Sequence, residues 1–578
     1  MGIDYYRLAK AVTKSNSKMK IPRENTYKFI KESVGSHYSE GGSDRPVPIN
    51  IIRLAQNVYT RMLVSSNPKV LISTTKDALK MSAFDYEIAI NQLVEEIKLK
   101  KSLRRLVSNA MFGIGVMKTG ICAGKTVYID NVKYELGQPY AEPVDMDYFG
   151  IDMSARTWDD AQYIFDVNKV PYDWALQSYG SDFASVLKPE KDNDFKNSKK
   201  SENISKGNYS KADKEEMSYK DMCEIVSIYL PQEQKIVTMA WNNGEADKRV
   251  LDESDYYGPE DGPYTPLTFN DVVGNILPLP PVALWYDIHD LANELYRKLG
   301  RQARNQKDIL SFDPKNKDDA KRIQEAQDQS VVACRQPEKM TTLSYGGANQ
   351  GLFAFFLNAQ QQANKMTGNS DTLGGIGQTA DTATQDKLIM SSASSQVQDM
   401  QAQVEEATTT ICKKLAWYLF NDPFIEMQAT KRLPGIPIDI PITITKEMLE
   451  GDYIDYNYVI KPYSLQEETP AGKFNTLTGI FSTIVMPLIP MLQEQGLTVD
   501  AQEFIEMIAK FKNIPELENM LISANNPNNE GKPSSKVYGS PPAKTTREYV
   551  RRDSGSLNPE AKEANKVINS FIGAGGMQ

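Results

Sequence analysis

The passage Gly368-Asn369-Ser370-Asp371-Thr372-Leu373-Gly374-Gly375-Ile376-Gly377-Gln378-Thr379-Ala380-Asp381-Thr382-Ala383-Thr384-Gln385 separates two stretches of helical text. Its glycines give a backbone freedom that a packed element has no use for, so residues 368–382 read as a mobile loop. Thr382 with Gln385 three residues on forms a capping box and starts a helix that runs to about Phe420. Along it Val397, Met400, Val404, Ala407, Ile411, Leu415 and Tyr418 recur at intervals of three and four, a seam of roughly 50 Å that must lie against something. The other faces carry Ser392, Ser395, Gln396, Gln398, Gln401 and Gln403, polar without charge, which suits subunit contacts or a wet lumen.

Toward the N-terminus, a helix opening near Asn349 carries Leu352, Phe353, Phe356, Leu357 and Met366. Before it lies a compact insert, helical over Asp318 to Gln327 and extended over Ser330 to Ala333 and Met340 to Ser344. A further helix covers Ile288 to Leu310, with Ile288, Leu291, Leu295 and Leu299 on one face and Arg297, Arg301 and Arg304 on another. It is expected to stop at Ser311-Phe312-Asp313-Pro314, because proline disfavours the helical conformation in the residue before it. Both helices span on the order of 30 Å, so they pair as a hairpin with the insert at its tip.

The rest of the chain surrounds this axis. Residues 1–44 are polar, with a helix over Tyr27 to Ser33 and a linker ending Gly41-Gly42-Ser43-Asp44. A helix from Pro48 carries Ile52, Ala55, Val58, Tyr59 and Met62, then turns at Asn67-Pro68 into extended Val70 to Thr74. One helix is expected from Ala83 to Met111, ended by Gly113, and its Lys98, Lys100, Lys101, Arg104 and Arg105 read as a solvated face. Val116 to Ile121 and Thr126 to Ile129 read as a hairpin, and Gly124-Lys125-Thr126 lacks the upstream glycine and following helix of a phosphate loop. Ala161 to Val167, and Cys223 to Leu230 with Lys235 to Ala240, add strands. Lys188 to Asp221, dense in both charges, reads as a surface excursion. After Asn421, Ile436, Ile438, Ile440, Ile442 and Ile444 alternate, with Pro437 and Pro441 confining that strand to an edge. Tyr456, Tyr458 and Ile460 continue the pattern, and these strands are expected to complete the earlier sheet. Three helices follow over Phe474 to Leu492, Asp500 to Phe511 and Pro515 to Ser523. The end is rich in Pro, Asn, Ser and Gly, with Lys544, Arg547, Arg551 and Arg552, and reads as a disordered tail.

The order helix, insert, helix, glycine-rich loop, long helix resembles that of the portal proteins of tailed bacteriophages. The passage Lys365-Met366-Thr367-Gly368 through Gly374-Gly375 into Thr382-Ala383-Thr384 looks like that family's step from second stem helix through tunnel loop. The similarity extends over Val47 to Thr75 and Leu103 to Gly120. It implies a mainly α chain with an α+β wing: a portal-like fold with long stem and tunnel helices, a clip insert and a helical crown. The divisions that follow are an arm 1–44, a wing 45–283 with the excursion 188–221, a first stem helix 284–310, a clip 311–346, a second stem helix 347–367, a tunnel loop 368–382, a long tunnel helix 383–421, returning wing strands 422–466, crown helices 467–524 and a tail 525–578.

The function the resemblance implies is passive. A ring of about twelve copies sits at one capsid vertex, passes double-stranded DNA inward and later outward, docks the terminase motor, and contacts the major capsid protein, the neck or adaptor and the tail. Gly374, Gly375, Ile376, Gly377 and Gln378 would form the constriction. Arg297, Arg301 and Arg304 would touch DNA or the next subunit, and Phe312, Lys315, Arg335 and Lys339 would meet motor or neck. The expected place is the virion, after assembly in the host cytoplasm.

Composition fits. The 578 residues exceed one core and predict three to five substructures. The net charge of -9 argues against a protein that grips phosphates with clustered cations, but suits a wall along which DNA slides. Cys122, Cys223, Cys334 and Cys412 are far apart without a CxxC, so neither disulfides nor zinc are expected. The first residues lack a signal peptide's apolar core, and the apolar window Ile480 to Leu492 is too short to span a bilayer.

Catalytic motifs are missing: no G-x-S-x-G, H-E-x-x-H or Walker A sequence occurs. His37 and His289 stand alone, and His289 reads as a surface or interface residue. The pairs Asp159-Asp160, Asp318-Asp319 and Glu405-Glu406 read as solvated. No enzyme, cofactor or metal is expected. Two other readings are a helical neck or adaptor component, which does not need this order of parts, and a packaging-associated hydrolase with drifted motifs, which nucleotide turnover would reveal.

Overall fold

The computed structural model describes residues 2–38, 41–122, 127–129, 132–135, 137–189, 221–327, 330–335, 337–368, 383–423, 426–432 and 439–460. The chain divides into two units, Met1–Glu467 and Glu468–Gln578, and every described residue belongs to the first. The loop around Gly374, the tripeptide at Lys125, most of the excursion 188–221, the strand text at Ile436 and Ile438, the three crown helices and the tail lie outside the described residues.

In chain order the elements are helices α1 (Tyr5–Lys18), α2 (Lys20–Val34) and α3 (Ile51–Leu63), strand β1 (Val70–Thr74), helices α4 (Lys80–Glu96) and α5 (Leu99–Phe112), and strands β2 (Gly115–Ile121), β3 (Val127–Ile129), β4 (Val132–Tyr134), β5 (Pro139–Val144), β6 (Phe149–Ile151) and β7 (Ile164–Pro171). Then come α6 (Tyr172–Tyr179), β8 (Met222–Leu230), β9 (Lys235–Asn242), β10 (Glu245–Asp255) and β11 (Tyr264–Leu267). The second half holds α7 (Pro281–Arg304), β12 (Lys307–Phe312), α8 (Lys317–Glu325), β13 (Met340–Tyr345), α9 (Gln350–Met366), α10 (Ala383–Asn421), β14 (Glu426–Arg432), β15 (Asp439–Thr445) and β16 (Tyr456–Ile460).

The expected mainly α, portal-like architecture is overturned. Of the described residues 48% are helical and 23% lie in strands. A five-stranded antiparallel sheet runs in the order β10-β9-β8-β7-β6, beside a three-stranded sheet β11-β2-β5. The long helices dominate the text after residue 280, whereas the strands before it are short, interrupted or charged. β10, with mostly exposed residues and breaks in register at Val250, shows almost no apolar alternation yet pairs with β9 along its length.

That sheet explains why residues 1–44 are not a free arm. Leu8, Ala9 and Val12 of α1 pack on one face with Phe165, Val167, Val226, Ile228, Met239 and Trp241. On the other face Ala175 of α6 meets Ile225, Ala240 and Leu251. The elbow between α1 and α2 is pinned by Arg23, buried to 4% exposure. Its Nε donates to the Met146 carbonyl at 3.0 Å, Nη1 to Asn16 Oδ1 at 2.6 Å and Nη2 to the Phe149 carbonyl at 2.8 Å. Burial, partly offset by Asp147, lowers its pKa to about 10.

The helix expected over Ala83 to Met111 is two helices. Lys98 takes the left-handed conformation at φ 51°, and Asn67 Oδ1 accepts the Lys100 N–H at 2.9 Å, so α5 restarts at an angle that α4 does not continue. Strand pairing also differs. β2 pairs with β5 and β11, while β3 pairs with β4. The returning strands do not extend the earlier sheets: β14 pairs with β15, and β16 pairs antiparallel with β1, Val70 opposite Ile460.

Of the later elements, α10 follows its expected seam most closely. Val397, Met400, Val404, Ala407, Ile411 and Leu415 are buried in the largest core cluster with residues of α3, α4 and α5. Tyr86 of α4 donates its hydroxyl to the Ala416 carbonyl at 2.5 Å. Lys414 is drawn into the core as well, at 2% exposure, with Nζ donating to the Tyr264 carbonyl at 2.8 Å.

Burial lowers the Lys414 pKa to about 8, with Asp261 opposing the shift. Between about pH 8 and the ordinary lysine value the unfolded chain holds a proton that the folded chain has released, so stability rises with pH by at most about 1.4 kcal/mol per unit. Burial raises the Cys223 and Cys412 thiols to about 11 and about 12, which works in the opposite direction above the free thiol's range. Over about pH 8 to 9 the change of the denaturation midpoint with pH should therefore be more positive in the native protein than in Lys414→Met.

Candidate functional site

The candidate site is the hairpin of α7 and α9. α7 starts with Pro281 at its first helical position, where a missing N–H removes nothing and φ is already helical. Asp287, Asp290 and Glu294 precede Arg297, Lys298, Arg301 and Arg304 along it, and Arg301 and Arg304 lie in its last turn, where the helix dipole favours cations. The helix ends at Arg304 rather than Leu310. Residues 307–312 instead pair with β13, Ile309 opposite Leu343, so sheet formation ends the helix well before Pro314. Gly346 and Gly347, at φ 85° and 111°, turn the chain back, and Asn349 caps α9 by accepting the Leu352 N–H at 3.1 Å.

Leu295 and Leu299 of α7 bury against Phe356 and Ala359 of α9, and Ala292 meets Ala363 beside Ile51. The two flanks of this seam are different. Tyr296, Phe353, Phe355 and Leu357 are 43–53% exposed, and at the tip Ile309, Phe312 and Leu343 are exposed too. Single exposed apolar residues need no account, but a run of large ones along one hairpin marks a contact surface.

The root of α7 is tied to the N-terminal segment by polar contacts that sequence reading missed. Asn293 accepts the Ile49 N–H at 3.0 Å and donates to the Ile49 carbonyl at 2.9 Å. His289, expected at a surface, is fully buried, with Nε2 3.8 Å from Glu32 Oε2. Burial would raise the Glu32 carboxyl, yet His289, the Ser43 hydroxyl and Arg297 together hold it below its ordinary value. The signal for this junction was slight: Asn293 lies four residues from His289, among apolar neighbours.

The far end of α9 is held by two aromatic tips. Trp285 Nε1 donates to the Met366 carbonyl at 3.1 Å, and the Tyr59 hydroxyl donates to the Thr367 carbonyl at 3.0 Å. The two rings stack with centroids 5.8 Å apart. They satisfy carbonyls that a helix end leaves without partners, and so fix where the chain departs at Gly368. Tyr59→Phe should cost about 1–2 kcal/mol, seen as faster hydrogen exchange of the last turn of α9 with other helices unchanged.

The sequence-derived residues separate. Arg297 turns inward, Nη1 donating to the Pro46 carbonyl at 2.9 Å and Nη2 lying 3.7 Å from Asp290, whereas Arg301 and Arg304 are exposed. Phe312 ends β12 opposite Met340. Lys315 and Arg335 are exposed at the same tip, the Arg335 N–H donating to Asp319 Oδ2 at 2.9 Å, and Lys339 closes the turn before β13. Gly374, Gly375, Ile376, Gly377 and Gln378 lie outside the described residues. Asp319 is buried and Asp318 exposed, so that pair is not evenly solvated.

The arrangement offers contact surface. Among the described residues no group of three or more His, Cys, Asp or Glu is placed to hold a metal ion, and no helix is long and apolar enough to cross a membrane. No protein-family model matches the chain, and no curated protein matches it.

Proposed function

We propose that the chain is the subunit of a ring-shaped channel at a virion vertex, of the kind tailed bacteriophages use to pass double-stranded DNA during packaging and ejection. The observation that carries this is the α7–α9 hairpin, with a packed inner seam and large apolar side chains exposed on both flanks of it, followed in sequence by a glycine-rich segment and the long helix α10. In a ring each copy presents one flank to the next, so a head-to-tail contact closes on itself, and the two flanks of the hairpin are covered by neighbours. The tip, with Phe312, Lys315 and Arg335, is the docking place for a packaging motor and later for neck or tail proteins, and the capsid protein surrounds the ring. Arg301 and Arg304 face the neighbouring copy or DNA. The subunit's work is passive, without catalysis or cofactor.

Sedimentation velocity on the purified full-length protein tests this. A single large species of about twelve copies that persists on dilution is the expected result, and a monomer across low and high salt would overturn it.

A further inference from the structure

The net charge of -9 averages over the chain and conceals a face of one sign. On α1, Leu8, Ala9 and Val12 are taken up by the five-stranded sheet, and the opposite side carries Arg7, Lys10, Lys14 and Lys18, all exposed. They recur at intervals of three and four, so they form one row about 16 Å long in steps of about 4.5–6 Å. No acidic residue occurs between Tyr5 and Lys18, and none of the four cations makes an ion pair among the described residues.

β10 extends the row at its N-terminal end. Between Ala246 opposite Trp241 and Val250 opposite Met239 that strand takes four steps against its partner's two, a bulge that turns Lys248 and Arg249 out of the ladder. Both are exposed, and Lys248 Nζ lies 4.7 Å from the centroid of the Tyr6 ring, adjacent in sequence to Arg7. The Arg249 N–H donates to Asp247 Oδ1 at 2.9 Å, which holds the bulge. The other acids of β10 do not cancel these charges. Glu253 accepts from Lys235 at 2.7 Å and from the Tyr5 hydroxyl, and Asp255 lies 4.0 Å from Lys235. Asp252 lies toward Tyr179 on the α6 side, which leaves Glu245 as the acid of that strand near the row.

The row lacks what other partners need. Protein interfaces are poor in lysine and have an apolar centre, and no large exposed apolar side chain lies between Arg7 and Lys18. Single-stranded nucleic acid needs open aromatic faces for its bases, and the exposed ring at the end of the row, Tyr6, is already faced by Lys248. A bilayer would take the apolar side of α1, which the sheet has buried. A straight row of unpaired cations matches the phosphates that repeat every few ångströms along a duplex.

We propose that this face of α1, with Lys248 and Arg249, binds the phosphate backbone of double-stranded DNA without reading its sequence. The face is carried by the five-stranded sheet, so the proposal stands apart from the channel reading and holds for a subunit in any state of assembly.

Fluorescence anisotropy of a labelled duplex of about 20 base pairs, titrated with the full-length protein at several salt concentrations, tests this. Binding is expected at low salt, with a log–log salt slope of about -4 to -5, as about five neutralised phosphates give. A duplex of unrelated sequence should bind equally. Lys10→Glu with Lys14→Glu, at exposed positions, should keep native circular dichroism, weaken binding about tenfold or more and reduce the slope by about two. Absence of binding at about 50 mM salt, or binding that the folded double variant leaves unchanged, overturns the proposal. So does preference for phosphatidylserine vesicles or for a single strand over the duplex.

Discussion

Phe353→Glu combined with Phe355→Glu is expected to abolish assembly while leaving the subunit folded. Both rings sit on α9 at 50% and 53% exposure, so their replacement disturbs little of the subunit's own core. Phe353 touches only the edge of that core, 6.5 Å from the Phe356 ring. In a contact between copies each phenylalanine is an apolar anchor, and anchors of that kind carry about 2 kcal/mol or more apiece. Glutamate removes the anchor and adds a charge that must be desolvated. Subunit affinity should fall at least a hundredfold per contact, and the defect recurs at every junction of a closed ring. Sedimentation of the double variant as a folded monomer, with native circular dichroism, is the expected outcome. Assembly indistinguishable from the native protein would show that the flanks of α9 are not the contact surface.

The largest effect on folding is expected at Arg23. Its guanidinium is buried and donates to two backbone carbonyls and one side-chain amide oxygen. Arg23→Met leaves the Met146 and Phe149 carbonyls and Asn16 Oδ1 without those donors in a region water does not reach. At about 1–3 kcal/mol for each buried group left unsatisfied, a loss on the order of 3–5 kcal/mol follows, enough to threaten a domain of ordinary stability. Arg23→Lys should recover only part of it, because an ammonium cannot reproduce the planar fork. Urea denaturation of the three proteins measures this. A loss below about 1 kcal/mol in Arg23→Met would mean that the elbow of α1 and α2 is held by packing alone.

What was legible in the sequence follows from length of pattern. The seam from Val397 to Tyr418 repeats often enough that nothing but a helix satisfies it, and all of its residues are buried. Tyr456, Tyr458 and Ile460 alternate and are buried on one side of β16. The break at Lys98 was invisible, since a lysine in left-handed conformation leaves no mark in the text. The strand over Lys307–Phe312 was hidden because Ile309, Leu310 and Phe312 continue a helical run equally well, and only the partner strand Met340–Tyr345 decides between them. Buried polar residues were the other blind spot. Arg23, His289, Asn293 and Lys414 look like surface residues until the carbonyls and amides that satisfy them are in place. Of the candidate site, the helix pairing could be anticipated from Leu295, Leu299 and Phe356. The Trp285 and Tyr59 contacts to the end of α9 could not, since residues 59, 285 and 367 are brought together only by the fold.

Electron microscopy of the purified full-length protein with class averaging shows whether the subunits close into a channel. Closed rings of uniform symmetry, with a central opening wide enough for a DNA duplex, are the result the channel reading predicts. Compact particles without an opening, or open chains of variable length, would contradict it and turn attention to a helical neck component.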